Sequence, residues 1–420
     1  MALIPCSCMS ICTQILRMVF FMKRILAAII ACVTLSTPAF ATAPNPEKRS
    51  ELTTIGAIRW DAWYASPRGS PDMVIEQVER SLSPPEYHFR APFFAKVAGG
   101  DIVIEEYTQK IFDREMQYAI QAGIDYFAYV WYTDAMKTAR EFHLASQYND
   151  QVKMSCVLED GKLGNEDIRQ EICQLISSPG WQTVLGGRPL MYYFSASDAA
   201  RDEIAYYRQA CEQMGVPEPF AVVMSGMAEA TRQTGADAIS DYCVYGENGV
   251  PFTELAKQAG YRWERACVPG GQIVPAVTTG WHNGPRVDNP VSWTKPEAKS
   301  WVEYPALGDI AAHLTHALEW INAEEHIEYT AANTLIFYAW NEHDEGGWIC
   351  PTIEVDDQGN QIFGPDGTPA INTQRVDEIG QVVAQYRLEA TEHSRFGLII
   401  TLAGIMAVLA VAYFIWRRKK

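Results

Sequence analysis

Short apolar runs alternate with amphipathic stretches along most of the chain. Eight of these runs are rich in β-branched and aromatic residues and apolar on both faces, as parallel strands covered by helices are. The predicted strands are Thr54–Trp60, Tyr126–Trp131, Lys153–Leu158, Pro189–Phe194, Phe220–Met224, Ala238–Tyr245, Ile273–Thr278 and Thr334–Trp340. The helical period and capping residues predict helices at Tyr107–Ala122, Asn165–Ser177, Ala199–Gly215, Thr253–Gly260, Ile310–Ala323 and Thr373–Tyr386.

This alternation predicts an α/β fold. Eight strands interleaved with helices over roughly 340 residues favour a single (β/α)8 TIM barrel with loop insertions. An open doubly wound sheet is the alternative. Neither GxGxxG nor GxxxxGK[ST] follows the first strand, which argues against the nucleotide-binding form of that sheet.

Both ends of the chain have the pattern of targeting segments. Residues 1–41 predict a leader and signal peptide whose true start is Met22, because a basic Lys23-Arg24 pair precedes an apolar run and a small-x-small cleavage site ending at Ala41. Residues 397–416 carry no charge and are long enough to cross a bilayer once. The basic tail 417–420 then places the C-terminus in the cytoplasm. We therefore expect residues 42–396 to form an exported domain, held by one membrane helix at the cell surface or in the periplasm.

The exported domain is strongly acidic. Seven of the 34 lysines and arginines, and none of the 51 acids, lie in the two terminal segments, so residues 42–396 carry 27 basic and 51 acidic side chains and a net charge of −24. Such a charge opposes binding to nucleic acid. The domain has six cysteines, for which disulfides and buried free thiols both remain open. Their spacing matches no zinc motif, and we expect neither a metal nor a cofactor. Oligomeric state is not readable from the sequence.

The run from Trp340 to Trp348, WNEHDEGGW, is the most informative segment for chemistry. It follows the last predicted strand, where the active site of a barrel enzyme lies. Carboxylates supply general acids, bases or nucleophiles, tryptophan faces stack on sugar rings, and glycines allow tight turns beside a ligand. An acidic surface loop is the simpler alternative.

Aromatic and polar residues recur at the ends of most of the other predicted strands. A carbohydrate site needs this combination of flat apolar platforms and hydrogen-bonding groups. The predicted substrate-binding residues are Trp60, Asp61, Trp63, Tyr64, Trp131, Tyr132, Tyr245, Trp281, His282, Asn341 and Trp348. For His282 a structural hydrogen bond is equally favoured, and Arg286 is expected to pair with an acid at the same end of the barrel.

The strand-eight segment Trp340-Asn341-Glu342-x-x-Glu345-Gly346 resembles the signature of glycoside hydrolase family 99 and its WbsX-like relatives, and more distantly that of family 71. The segments 55–64, 122–128 and 275–286 resemble other strands of those barrels, so the likeness spans nearly all of residues 52–390. This chain has His343 where the family places an aromatic residue. Asp344 adds a third carboxylate.

The resemblance implies catalytic roles for Glu342 and Glu345. Glu342 would act on the substrate 2-hydroxyl, which attacks its own anomeric carbon, and Glu345 would be the general acid and then the base. The implied function is an exported, membrane-anchored, retaining endo-glycoside hydrolase acting on α-linked mannan-like or related oligosaccharides and polysaccharides. A non-catalytic glycan-binding surface protein and a WbsX-like glycosyltransferase of polysaccharide assembly are the alternatives.

Overall fold

The computed structural model describes residues 52–64, 74–105, 107–133, 135–293 and 298–390. The predicted leader, the membrane helix 397–416 and the basic tail lie outside these ranges. Within the described ranges, none of the helices combines the length and apolar character that a membrane crossing requires.

Eight parallel strands form one curled, TIM-like sheet. They are Thr54–Arg59 (β1), Tyr126–Val130 (β2), Lys153–Leu158 (β3), Arg188–Tyr193 (β4), Phe220–Val223 (β5), Ala238–Ile239 (β6), Ala276–Thr278 (β7) and Thr334–Tyr338 (β8). Hydrogen bonding joins them in the order β7-β8-β1-β2-β3-β4-β5-β6. The two edges of this sheet are bridged just before β7, because Ile239 N–H donates to the Gln272 carbonyl at 3.0 Å and Val274 N–H donates to the Ile239 carbonyl at 2.9 Å. All eight predicted strands are therefore confirmed as parallel neighbours.

Helices connect these strands. They are Val74–Leu82 (α1), Gln109–Ala122 (α2), Thr138–Ala145 (α3), Glu166–Leu175 (α4), Asp198–Met214 (α5), Glu229–Thr234 (α6), Phe252–Ala266 (α7), Gly284–Asp288 (α8) and Asp309–Asn322 (α9), followed by helical residues 374–390. Side-chain caps fix the starts: the Asn165 amide oxygen accepts from Ile168 N–H at 3.1 Å, and the Ser197 hydroxyl accepts from Ala200 N–H at 3.1 Å. Gly215, predicted as the last residue of its helix, instead ends α5 in the left-handed conformation at φ 69°.

Shorter elements lie in the connections. Short 3₁₀ helices lie at Ala62–Tyr64, Pro85–Arg90, Ala135–Lys137, Asp160–Lys162 and Glu324–Tyr329. Short strands lie at Lys96–Ala98, Asp101–Val103, Thr183–Val184, Asn341–Glu342, Gly347–Trp348, Thr352–Ile353 and Ile371–Asn372.

Strand β6 is shorter than its sequence pattern predicts. The predicted strand Ala238–Tyr245 is regular only as far as Ile239. Beyond that point the chain turns away, because Asp241 forms an ion pair with Arg262 of α7 at 2.7 Å and Tyr242 donates its hydroxyl proton to Glu342. In a continuous strand, Asp241 and Tyr242 would not reach Arg262 and Glu342.

Buried tyrosine side chains pack inside the barrel. Gly56 of β1 lies beside Tyr126 of β2, and a Cβ atom at Gly56 would come within 2.1 Å of that tyrosine ring. The Tyr126 hydroxyl bonds the hydroxyls of Tyr192 at 2.7 Å and Thr334 at 3.1 Å. Glycine at position 56 therefore makes room for a buried polar cluster that ties β2, β4 and β8 together.

A second buried polar cluster is centred on Glu115 of α2, which lies beneath the strand ends. Glu115 accepts two hydrogen bonds from Arg59, at 3.0 and 3.2 Å, and one from the Trp340 indole N–H at 2.9 Å. The Tyr64 hydroxyl donates to the same carboxylate. Because the carboxylate is fully buried and bonded on both oxygens, it holds β1, α2 and the segment after β8 in one arrangement.

The six cysteines of the domain are all free thiols.

Candidate active site

The segment after β8 forms a small hairpin that presents three carboxylates. Asn341 pairs with Trp348 and Glu342 with Gly347, so residues 343–346 form the turn. Both glycines are required by close contacts. A Cβ atom at Gly346, which has φ 87°, would lie 2.6 Å from the His282 nitrogen, and one at Gly347 would lie 2.4 Å from the Tyr338 ring.

Arg286 of α8, which follows β7, gathers all three carboxylates of this hairpin. It donates to Asp344 through two bonds, from Nε at 2.7 Å and from Nη2 at 3.0 Å. Nη2 also lies 3.3 Å from Glu342 Oε2, and Nη1 donates to Glu345 Oε1. The guanidinium is only 8 % exposed. Asp344, which the sequence left without a role, is therefore the carboxylate that orients Arg286, and the pairing of Arg286 with an acid is as expected.

Two tyrosine hydroxyls contact the glutamates from the sides. Tyr242, just beyond β6, donates to Glu342 Oε1 at 2.8 Å. Tyr338, at the end of β8, donates to Glu345 Oε2. Each glutamate thus has one oxygen on Arg286 and the other on a phenol, which fixes the direction of both carboxylates.

The electrostatics of this cluster favour one bound proton. Three carboxylates face a single guanidinium in a buried site, so the cluster carries an excess of negative charge. Burial, the charge of Glu345 and the charge of Asp344 raise the pKa of Glu342 well above its usual range, although Arg286 opposes this. Burial alone lowers the pKa of Arg286, but the three carboxylates together raise it, so the guanidinium stays charged. Burial and the neighbouring carboxylates therefore favour the neutral form of Glu342.

Trp60 and Tyr132 lie next to the carboxylates. The Trp60 ring lies 4.9 Å from the Arg286 guanidinium carbon, and its backbone N–H donates to the Asn341 side-chain oxygen at 2.8 Å. Tyr132 is half-buried and is electrostatically coupled to Glu342 and Glu159. These two predicted aromatic residues therefore lie beside the carboxylate cluster.

Tyr245, Trp281 and His282 form a second group on the β7 side. The Tyr245 ring, half exposed, meets the Trp281 ring edge-on with centroids 4.4 Å apart. His282 stacks on Tyr304 at 5.5 Å and accepts from Gly284 N–H at 3.1 Å. Burial and the nearby Arg90 lower the pKa of His282 to about 4, so its ring is neutral at physiological pH.

Four predicted binding residues lie in the interior with partners of their own. Asp61 pairs with Arg59 at 2.7 Å, and burial raises its pKa to about 6. Trp63 donates its indole N–H to the Asn341 carbonyl at 2.8 Å. Trp131 donates to Glu171 at 2.9 Å, and Tyr64 to Glu115. These contacts hold the strand ends in place, and none of them is made with Glu342, Asp344 or Glu345.

Trp348 is also covered on both faces. The Arg375 guanidinium carbon lies 3.6 Å from the centre of its ring, and His343 stacks on it at 6.0 Å. The Trp63 ring meets His343 edge-on at 5.2 Å. His343 is fully buried, and neither ring nitrogen makes a hydrogen bond of regular geometry within the described residues. Burial and Arg375 lower its pKa to about 3. His343 therefore packs as an aromatic ring, the residue type that the family places here.

Sequence reasoning did not single out Tyr242 or Tyr338. Both lie within a predicted strand, and a tyrosine there could equally be packing. Each of them is marked by a hydroxyl contact with a glutamate. Tyr242 contacts Glu342, 100 residues further along the chain, and Tyr338 contacts Glu345 in the turn of the hairpin. Only the tertiary arrangement supplies that information.

Comparisons with known proteins place this chain near glycoside hydrolases in structure. No protein-family profile matches it, and no curated protein matches it. Two structures of the GH99 endo-α-mannosidase from Bacteroides thetaiotaomicron superpose with TM-scores of 0.46 and 0.44, at 12 % and 14 % identity, each over 80 % of this chain and 98 % of theirs. A protein from the same organism assigned as an α-L-fucosidase superposes with a TM-score of 0.35 at 10 % identity, over 84 % of this chain and 99 % of its own. At such scores the likeness carries no weight for function, which is argued from the site itself.

Proposed function

We propose that the exported domain is a (β/α)8-barrel glycoside hydrolase, a retaining, endo-acting enzyme for α-linked mannan-like or related glycans. The observation that carries this proposal is the pair of glutamates, Glu342 and Glu345, which meet at one buried guanidinium beside Trp60 and Tyr132. The proposal includes anchoring by the helix 397–416 at the cell surface or in the periplasm, with the C-terminus in the cytoplasm.

The proposed reaction has two steps. In the first, Glu342 takes the proton of the substrate 2-hydroxyl, whose oxygen bonds to the anomeric carbon while Glu345 gives a proton to the departing glycosidic oxygen. In the second, Glu345 takes a proton from water, the water oxygen bonds to the anomeric carbon as the bond between that carbon and O2 breaks, and Glu342 returns its proton to O2. Two displacements at one carbon retain its configuration.

The raised pKa of Glu342 adds a condition to this scheme, because it favours a neutral Glu342, and a neutral carboxyl must lose its proton before it can accept one from a sugar hydroxyl. Either substrate binding moves the proton to Glu345, or the two glutamates exchange roles and Glu342 is the acid. Arg286 contacts both carboxylates, and each carboxylate also accepts from one tyrosine, so the arrangement favours a pair that shares one proton.

The experiment compares Glu342→Gln and Glu345→Gln on two substrates. Hydrolysis of α-mannan and α-glucan oligosaccharides should fall at least about 100-fold in both variants, since general acid–base groups contribute that much. On an aryl glycoside with a good leaving group, the variant that lacks the acid recovers activity, because the departing oxygen needs no proton. Glu354→Gln, an exposed glutamate beyond the hairpin, is the control and should keep full activity. Equal turnover by wild type and both active-site variants would refute the proposal.

A glycan-binding protein without turnover is the second candidate. The observation that favours it is Arg286, whose guanidinium occupies an oxygen of each glutamate and would have to yield one for acid–base chemistry. This candidate predicts tight oligosaccharide binding with no products, and a loss of binding in Trp60→Ala. Product formation by the wild-type chain would exclude it.

A further inference from the structure

A cluster of potential metal ligands lies at the opposite end of the barrel from the carboxylates. Helix α7 runs back toward the start of β7 and carries Glu264 in its last turn, and Cys267 follows that helix directly. His326 comes from the 3₁₀ turn Glu324–Tyr329 that follows α9. One ligand atom from each residue lies within 4.8 Å of the other two. Imidazole, thiolate and carboxylate are the three ligand types that zinc binds.

The ligand atoms are spaced for a metal. His326 Nε2 lies 3.6 Å from Glu264 Oε1. Two ligands of a tetrahedral zinc ion, each about 2.0–2.2 Å from the metal, are separated by roughly 3.4 Å. The nitrogen and oxygen therefore already stand near the separation that a shared ion would impose. The thiol sulfur has to move inward by no more than about 1 Å.

Trp320 of α9 orients two of the three ligands. Its carbonyl oxygen lies 2.9 Å from His326 Nδ1, so Nδ1 donates to it and Nε2 faces Glu264. Its indole N–H donates to Glu264 Oε1 at 2.7 Å. Its ring also stacks on the imidazole, with centroids 4.1 Å apart. Hydrogen bonds that fix the tautomer and direction of ligands are the usual surroundings of a metal site.

The position also favours a cation. The C-terminal end of α7 carries a partial negative charge, and the domain as a whole is acidic. Of the three ligands, His326 is mostly buried and Glu264 half exposed, so an ion can enter from solvent. The cluster ties the end of α7 to the turn after α9, which is the kind of place where a structural ion holds two connections together.

We propose that Glu264, Cys267 and His326 bind one divalent zinc-class ion, with water as the fourth ligand. Binding forms metal–sulfur, metal–nitrogen and metal–oxygen bonds and releases the Cys267 proton to solvent. The thiol currently donates to the Trp263 carbonyl at 3.5 Å, and that weak bond is given up. This site is independent of the glycan chemistry proposed above.

The test uses the purified full-length chain, freed of metal by a chelator and titrated with Co²⁺, whose thiolate complexes absorb in the near ultraviolet. We expect one ion per chain with a sulfur charge-transfer band, present in wild type and in the control Cys173→Ser and absent in Cys267→Ser. His326→Gln should weaken binding at least tenfold.

Zinc binding is measured separately through stability. Zn²⁺ at 100 times its dissociation constant should raise the melting temperature of wild type and of Cys173→Ser, but not of Cys267→Ser. A wild-type chain without the sulfur band, or a band that survives in Cys267→Ser, would overturn the proposal. Circular dichroism of each variant without metal shows that the loss of binding is not a loss of fold.

Discussion

Replacing Arg286 with methionine tests whether one guanidinium balances the three carboxylates of the hairpin. The side chain is 8 % exposed and pairs with Glu342, Asp344 and Glu345. Removing one partner of a buried ion pair costs about 3–5 kcal/mol, because the remaining charge is left buried without compensation. For a domain of roughly 340 residues, with an unfolding entropy of about 2.1 cal/mol/K per residue, this corresponds to a melting temperature about 4–7 °C lower.

The stability lost in Arg286→Met should depend on pH in a defined direction. Arg286 lowers the already raised pKa of Glu342, so its removal raises that pKa further. A carboxyl whose pKa is raised by folding contributes stability that is present below its unfolded pKa and lost as the pH rises through the folded value. The difference between Arg286→Met and wild type should therefore be larger at pH 8 than at pH 5.

Thermal unfolding followed by circular dichroism at both pH values measures these effects. Arg232→Met is the control, because Arg232 and Glu229 form an exposed pair at 3.4 Å whose loss should cost less than about 1 kcal/mol. A loss in Arg286→Met that is no greater than the control's, or that is equal at pH 5 and pH 8, would refute this account of the cluster.

Three further variants test neighbouring contacts. Tyr242→Phe removes a hydrogen bond that lowers the pKa of Glu342, so the pH–activity limb set by Glu342 should move to higher pH; an unmoved limb contradicts this. His343→Phe should raise stability by about 1 kcal/mol, since it removes buried polar nitrogens. Because the pKa of His343 is lowered to about 3, the advantage should grow as the pH falls below 6.5; equal melting curves at pH 7 and pH 4.5 would argue against it. Glu115→Gln should cost about 1.5–3 kcal/mol, the worth of a hydrogen bond to a charged group, because Arg59 loses one of its two carboxylate partners and keeps Asp61; urea unfolding with exposed Glu354→Gln as reference measures it.

The alternation of apolar runs determined the fold class. Parallel strands covered on both faces need continuous β-branched and aromatic runs, and helices between them need one apolar stripe, so both leave a local pattern. The pattern failed where side chains have distant partners, as at Asp241 and Tyr242, which end β6 early. A window of neighbouring residues does not contain those partners.

For the candidate site, too, the sequence determined one part and the tertiary structure another. By itself, the sequence determined that carboxylates and aromatic residues collect at the strand ends, because strand ends can be located from the local pattern. Only the tertiary structure decided which of them meet. Trp60 and Tyr132 reach the carboxylates, whereas Asp61, Trp63, Tyr64 and Trp131 support the interior. The direction of a side chain at a strand end depends on hydrogen-bond partners far away in sequence, such as Glu115 and Glu171. Likewise the raised pKa of Glu342 results from burial beside two other carboxylates that share one buried Arg286, a property of the assembled cluster and of no single residue.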